Sequence, residues 1–289
     1  MKKSRILAPV LAAAVLLTAS GLSAREYGAG ASYLGVGDAA RATAAGPSAL
    51  YINPAGLGRL MMFAFEAGYD YQRLTAGHAP HVAIADSKTN QHVAAGLGYT
   101  YLYADGGLAD RAGHSMRVGL SSGYRSPTFS ALFGAGGRYA KYDRSPGSEF
   151  EAFNLDVGAL FDFYDMFSIG VVGHNVIVDD DALNAEMPIG LGLGIAFRYA
   201  GFTLSFDTLI DFKTEDEATP IYGVGAEYLV MGMVIARLGY KSDRLADAHY
   251  ISGGFGYVSR LWGIDVSYSH NAKDDSDLIF ATSIKFFLP

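Results

Sequence analysis

Beyond residue 61, hydrophobic and polar positions alternate with period two along most of the chain, the spacing that sends successive side chains to opposite faces of a strand. In residues 61–71, Met61, Phe63, Phe65, Ala67, Tyr69 and Tyr71 share one face, and Met62, Ala64, Glu66, Gly68 and Asp70 share the other. The same alternation sets Val93, Ala95, Leu97, Tyr99, Tyr101 and Tyr103 against Ala94, Gly96, Gly98 and Thr100. It returns with Leu191, Leu193, Ile195, Phe197 and Tyr199 against mostly glycine, and again from Phe202 and from Trp262. The pattern predicts roughly fourteen strands of about ten residues, the length a tilted strand needs to cross a bilayer.

The expected connections alternate in length. Tight turns are predicted at 126–127, 164–166, 200–201, 231–232 and 259–260, with a longer one at 87–91. Longer polar segments lie between them, at 105–114, 143–149, 178–188, 213–220, 242–249 and 271–277. Short turns at one rim and long loops at the other describe an all-β, up-and-down transmembrane β-barrel of about fourteen antiparallel strands. An even strand number puts both termini at the short-turn rim, which in the cell outer membrane is the periplasmic side. Alternation in the last segment places Leu278, Phe280, Thr282, Ile284, Phe286 and Leu288 on one face, as in the closing strand that barrel insertion machinery reads.

The first sixty residues do not alternate. Lys2, Lys3 and Arg5 precede an apolar run at 6–19 and small residues at 20–24, the layout of a signal peptide over 1–24. Residues 25–60 are rich in Ala and Gly and are the segment available to fill a lumen, with the barrel proper at 61–289. Asp38 is predicted to N-cap a short helix through Ala45, stopped by Gly46-Pro47.

Composition narrows the function. The chain of 289 residues carries a net charge of −7 with no basic cluster, which argues against nucleic acid. It has no cysteine, so neither a disulfide framework nor a lipid-modified cysteine is in play. If the apolar faces meet outer-membrane lipid, alternation turns Glu66, Asp70, Asp156, Asp162, Asp207, Asp211, Glu227 and Asp265 inward, together with Arg117, Arg125, Arg138, Arg198, Arg237, Lys241 and Lys285. Their signs nearly cancel, as in a narrow or plugged barrel that pairs charges across its interior rather than a wide pore selective for one sign. The seven histidines lack metal or catalytic spacing, so no enzyme activity, metal or cofactor is expected. Asp179, Asp180, Asp181 and Glu186, and Glu215, Asp216 and Glu217, are expected as solvated loops.

Two stretches carry a family resemblance. Residues 35–42, Gly-Val-Gly-Asp-Ala-Ala-Arg-Ala, are followed by residues 48–57, Ser-Ala-Leu-Tyr-Ile-Asn-Pro-Ala-Gly-Leu. Together they resemble the N-terminal signature of the PorV/PorQ-type family within the FadL-like outer-membrane barrel group. Downstream, Gly170-Val171-Val172-Gly173-His174-Asn175, the strand after Pro188, the Asp207 strand and the Gly253-Gly254-Phe255-Gly256 strand follow the same order. The link between the two stretches, residues 43–47, is shorter than relatives usually carry. The resemblance implies a fourteen-stranded barrel with an N-terminal plug in the lumen, in which Asp38, Arg41, Asn53, Pro54 and Ala55 are the plug and gate candidates. Asn53, held extended before Pro54, suits a structural clamp where the chain enters the first strand, with direct ligand contact the alternative. Two functions are then open: a channel or transporter for small hydrophobic or amphipathic solutes, which the FadL-like group implies, or a membrane-anchored binding module of a protein secretion system, which PorV implies.

Overall fold

The computed structural model describes residues 28–105, 110–144, 147–177, 187–212 and 218–289. The expected signal peptide over 1–24 and the acidic runs at 179–181, 186 and 215–217 lie outside the described residues.

Fourteen strands are present among the described residues: β1 Phe63–Gln72, β2 Gly77–Asp86, β3 Val93–Ala104, β4 Arg111–Arg125, β5 Phe129–Arg144, β6 Ser148–Phe163 and β7 Phe167–His174. The second half holds β8 Gly190–Tyr199, β9 Phe202–Asp211, β10 Thr219–Val230, β11 Val234–Asp243, β12 Ala248–Val258, β13 Trp262–Asn271 and β14 Asp274–Leu288. Each pairs antiparallel with its sequence neighbours, and β1 closes on β14 from Phe63↔Leu288 to Gln72↔Ile279. The sheet is therefore a closed up-and-down barrel with no free edge between first and last strand.

The alternation has a physical reading in β4. Met116, Val118 and Leu120 point outward and stay about half exposed or more, whereas Ser115, Arg117 and Ser121 between them are buried. An exterior of Leu238, Phe255, Ile195 and their like would be costly in water and is at home in lipid. No described helix is long and apolar enough to cross a membrane.

The loops differ from expectation. β4, β5 and β6 run to 15, 16 and 16 residues, so the polar segment at 143–149 is mostly strand. Outside the barrel, the Lys141 ammonium pairs with Glu149 at 2.5 Å and the Tyr139 hydroxyl donates to Glu151 at 2.9 Å; inside, Tyr142 stacks on Phe150. These cross-strand pairs continue the ladder past the residues a bilayer alone would require. Segments 242–249 and 271–277 shrink likewise, to the residues between Asp243 and Ala248 and between Asn271 and Asp274. Their Asp and Asn side chains cap turn backbone, the Asn271 amide oxygen accepting from Lys273 N at 3.0 Å, which gives strand ends a loop-like composition.

The two-residue turn after β8 uses Ala200 (φ 50°) and Gly201 (φ 82°), the left-handed pair that matches hairpin twist. It shares the short-turn rim with the start of β1 and the end of β14, where Lys88 Nζ bonds the Pro289 carbonyl.

Candidate functional site: a plug in the lumen

Residues 28–60 cross the lumen from wall to wall. Helix α1, Ala31–Gly35, packs on β11 to β14; after it, Gly37 (φ 64°) and Asp38 (φ 63°) reverse the chain. Turn Gly46–Ser48 leads into helix α2, Ala49–Ile52, and a last turn, Pro54–Gly58, packs on β3 to β6. The helix expected from Asp38 to Ala45 is not there. Two consecutive left-handed residues end α1 instead, residues 39–45 are non-helical, and the Asp38 carboxylate pairs with Lys241 at 3.0 Å rather than capping backbone.

Wall glycines admit this segment. A β-carbon on Gly223 would stand 2.6 Å from the Gly37 carbonyl oxygen, and one on Gly225 2.6 Å from Val36. On the opposite wall, Gly134 lies under the Pro54–Ala55 peptide and Gly158 under the Asn53 amide, too close for any side chain.

Asn53 is fully buried and extended (φ −161°). Its Nδ2 donates to the Ala159 carbonyl at 3.1 Å and the Arg41 carbonyl at 3.2 Å, with Val171 O at 3.5 Å; its Oδ1 accepts from Ala55 N at 3.2 Å. One side chain thus joins two plug segments to β6 and β7. Pro54 sits at the first position of the turn, where the missing N–H is harmless. The Ala55 carbonyl accepts from Ser121 Oγ at 2.8 Å.

Charge pairs surround this clamp. Arg41 donates from its backbone N (2.8 Å) and from Nη1 (3.2 Å) to Asp207, and both side chains are buried. Arg117 pairs with Asp156 at 3.2 Å and reaches the Leu50 carbonyl at 3.3 Å, while His174 lies 3.4 Å from the same carboxylate. Arg237 bridges Glu227 (2.7 Å) and Asp265 (2.6 Å), and Lys285 adds Asp265 at 3.0 Å and Glu66 at 3.7 Å. Glu66 also accepts from Ser48 Oγ at 2.8 Å, Asp70 from Gly28 N at 3.0 Å, and the Gly58 carbonyl takes two bonds from Arg125. Arg198 meets Ser168 Oγ at 2.7 Å. Arg138 faces inward on β5 with Asn154 as its register partner, and Asp211 is buried at the long-loop end of β9.

Arg59 was not singled out from sequence, yet it ties the plug to the wall: it pairs with Asp162 and donates to Ser168 Oγ and the Ala42 carbonyl, both at 2.9 Å. The available signal was a lone cation just after an apolar run that enters a strand. Replacing Asn53 by Ala removes the clamp and strands its carbonyl partners, each buried unpaired group costing about 1–3 kcal/mol. Brief channel openings in a planar bilayer, from a barrel that still inserts, are the expected result.

Space remains between plug and wall. A cavity of about 350 Å³ lies between plug and wall toward the short-turn rim, bordered by Tyr33, Val36 and Ile52 on the plug and by Arg198, Glu227 and Lys285 on the wall. Toward the long-loop end, Leu102, Tyr142, Phe150 and Met187 pack together as an apolar cluster on one side of the lumen, while Gln72, Asp243, Asn271 and Asp277 are buried on the other.

No protein-family model and no curated protein matches the chain. Solved structures do. The CymD monoaromatic hydrocarbon channel superposes with a TM-score of 0.67 at 15% identity, over 91% of this chain and 98% of that one. The chain has the FadL-like barrel fold. A Pseudomonas aeruginosa FadL homologue matches with a TM-score of 0.62 at 13% identity, over 89% and 98% of the two chains. The Ralstonia pickettii toluene transporter TbuX matches at 0.57 and 15%, over 88% and 97%. At these identities the likeness is one of fold, shared along nearly the full length of each barrel.

Proposed function

We propose that the chain is an outer-membrane channel for small hydrophobic solutes, with both termini and the short turns in the periplasm and the long loops outside. The observation that carries this reading is a lumen whose centre is filled by the plug and buried ion pairs, with an apolar cluster of Leu102, Tyr142, Phe150 and Met187 toward the long-loop end. An ion entering such a space would have to displace paired charges; a hydrocarbon would find apolar contact with Leu102, Tyr142, Phe150 and Met187 toward the long-loop end and with Tyr33, Val36 and Ile52 in the inner cavity. The cavity between plug and wall, which Arg198, Glu227 and Lys285 line together with Tyr33, Val36 and Ile52, is larger than the roughly 150 Å³ that holds a benzene ring in an apolar interior. Solved relatives of the same fold are described as carrying monoaromatic hydrocarbons and toluene, which supports the same solute class here.

Glu66, Asp70, Arg117, Arg125, Arg138, Arg198, Asp207, Asp211, Glu227 and Arg237 are the lumen-lining groups of this channel, and Asp38, Arg41, Asn53, Pro54 and Ala55 its gate. Small shifts of the plug, rather than its expulsion, would join the apolar cluster at the long-loop end to the inner cavity. The face presented by β14 is what the insertion machinery reads during assembly.

Ring-labelled toluene at low concentration should enter cells that make the barrel several-fold faster than cells that lack it, the scale expected when a barrier step is bypassed. Equal uptake, with the barrel shown to be inserted, overturns the channel reading. Orientation is tested separately: cysteine in place of Asp275 should react with an impermeant thiol reagent on intact cells, and cysteine in place of Gly201 should not. Labelling of the second alone inverts the topology. The PorV/PorQ-like motif at 48–57 favours a second reading, an anchor for secretion partners, which co-purification of a secretion complex without any uptake phenotype would support.

A further inference from the structure

The ion pairs that border the cavity between plug and wall are unevenly shared. On its β6 to β8 side, two guanidiniums compete for one carboxylate: Arg59 pairs with Asp162, and Arg198 stands 3.9 Å from the same group. Arg125, further along that side, takes only the carbonyls of Gly58 and Gln91, and Asp165 sits on the exposed turn at 164–166. Toward β10 to β14 and β1 the balance reverses, with three carboxylates to two cations. There Arg237 bonds Glu227 at 2.7 Å and Asp265 at 2.6 Å, while Lys285 meets Asp265 at 3.0 Å and Glu66 at 3.7 Å. The cavity wall is thus neutral in sum but positive at one end and negative at the other.

The two ends meet along one row of the wall. Arg198 on β8 is the register partner of Thr203 on β9, Thr203 of Glu227 on β10, and Glu227 of Arg237 on β11. Arg198 and Glu227 are therefore two strands apart, about 10 Å between backbones at the usual strand spacing. They do not pair. Arg198 donates to Ser168 Oγ at 2.7 Å, on β7 and so on the side away from Glu227, and Glu227 gives one oxygen to Arg237. The other Glu227 oxygen and the Thr203 hydroxyl have no hydrogen-bond partner among the described residues, and Glu66 Oε1 is buried without one. The Glu227 side chain is 33% exposed and that of Arg198 27%, against 4% for Arg237, so the first two are the charges that open into the cavity.

Facing this row, the plug presents Tyr33, Val36 and Ile52. The cavity, about 350 Å³, has room for an apolar ring and a polar head beside it. A hydrocarbon would leave both open charges unmatched. A simple anion would satisfy Arg198 and meet Glu227 as a like charge, and a simple cation would do the reverse. A solute carrying both signs satisfies both through charge-assisted hydrogen bonds and adds no net charge to the lumen.

We propose that this cavity is a binding site for a zwitterion with an apolar side chain, of the class of a hydrophobic α-amino acid. Its carboxylate lies toward Arg198 and Arg59, its ammonium toward Glu227 and the Thr203 hydroxyl, and its side chain against Tyr33, Val36 and Ile52. The site deepens the channel reading and rests on it for the solute's way in.

Equilibrium dialysis of the detergent-solubilised barrel against radiolabelled L-phenylalanine tests this, with 3-phenylpropanoate and 2-phenylethylamine as the analogues that lack the ammonium and the carboxylate. Phenylalanine should bind roughly ten-fold or more tighter than either, the scale of one charge-assisted contact. In barrels with normal heat-modifiable mobility, Glu227→Gln should weaken phenylalanine and leave 3-phenylpropanoate unchanged, and Arg198→Gln should weaken both and leave 2-phenylethylamine unchanged. No binding of phenylalanine, or binding no tighter than that of an analogue, overturns the proposal on the intact chain alone. An unchanged ligand order in both folded variants overturns it as well. Toluene uptake without phenylalanine binding would remove this site and leave the channel; phenylalanine binding without toluene uptake would do the reverse.

Discussion

Replacing Asp207 by Asn should destabilise the barrel by about 3–5 kcal/mol, the usual result of leaving one member of a buried ion pair without its partner. Arg41 is 5% exposed and Asp207 1%, and the carboxylate accepts from both the Arg41 backbone and its guanidinium. The amide keeps the shape of the carboxylate but not its charge, so the loss is electrostatic and not a cavity. Gly192 and Gly194 press on the Arg41 side chain and its turn, which leaves the guanidinium no easy route to water. The neutral pair Arg41→Gln with Asp207→Asn should recover roughly 2 kcal/mol of the loss, as expected for residues coupled in one contact. Urea unfolding followed by the fluorescence of the single tryptophan, Trp262, measures both. A loss under about 1 kcal/mol would place this pair in the range of solvent-screened ones and contradict a sealed plug.

Gly134→Leu should unseat the plug without removing any of it. The glycine lies beneath the Pro54–Ala55 peptide, and its strand is held on both sides, Gly134 pairing with Ser121 on β4 and Gly158 on β6. The wall cannot retreat without breaking two ladders, so the plug must move, at the 1–3 kcal/mol or so typical of overpacking. A leucine at Gly137 is the control: that position faces outward, and its nearest neighbours are the side chains of Phe153, at 3.2 Å, and Val118. In a planar bilayer Gly134→Leu should conduct and Gly137→Leu should not. Silence in both, with insertion verified, would show that the turn at 54–58 does not seal the lumen.

What was legible in the sequence is local. The facing of Val118 against Arg117, or of Phe206 against Asp207, follows from a period of two and needs no partner, so strand number and barrel closure could be read from the chain alone. The ends of β5 and β6 were less legible, because Asp143 and Glu149 look like loop residues until Glu149 is seen paired with Lys141 across the strands. The plug was legible only as a segment that could not be a strand. Its conformation depends on contacts between residues far apart in sequence, Asn53 with Ala159 and Arg41 with Asp207, and on the particular wall glycines that receive it. Asp38 illustrates the cost: as an isolated residue before small helix formers it suits an N-cap, but Lys241 on β11 takes its carboxylate and the backbone turns left-handed instead.

The N-terminal segment is expected to seal the barrel to ions, and single-channel recording of the intact chain beside a form lacking residues 35–57 tests this. The barrel closes on itself through β1 and β14, so the shortened form should still insert and show heat-modifiable mobility. The intact chain should give no steady conductance, and the shortened form should give open steps roughly ten-fold or more above the recording noise, as a water-filled lumen of this strand number would. Equal steady conductance from both forms would make the protein an open porin and contradict the claim.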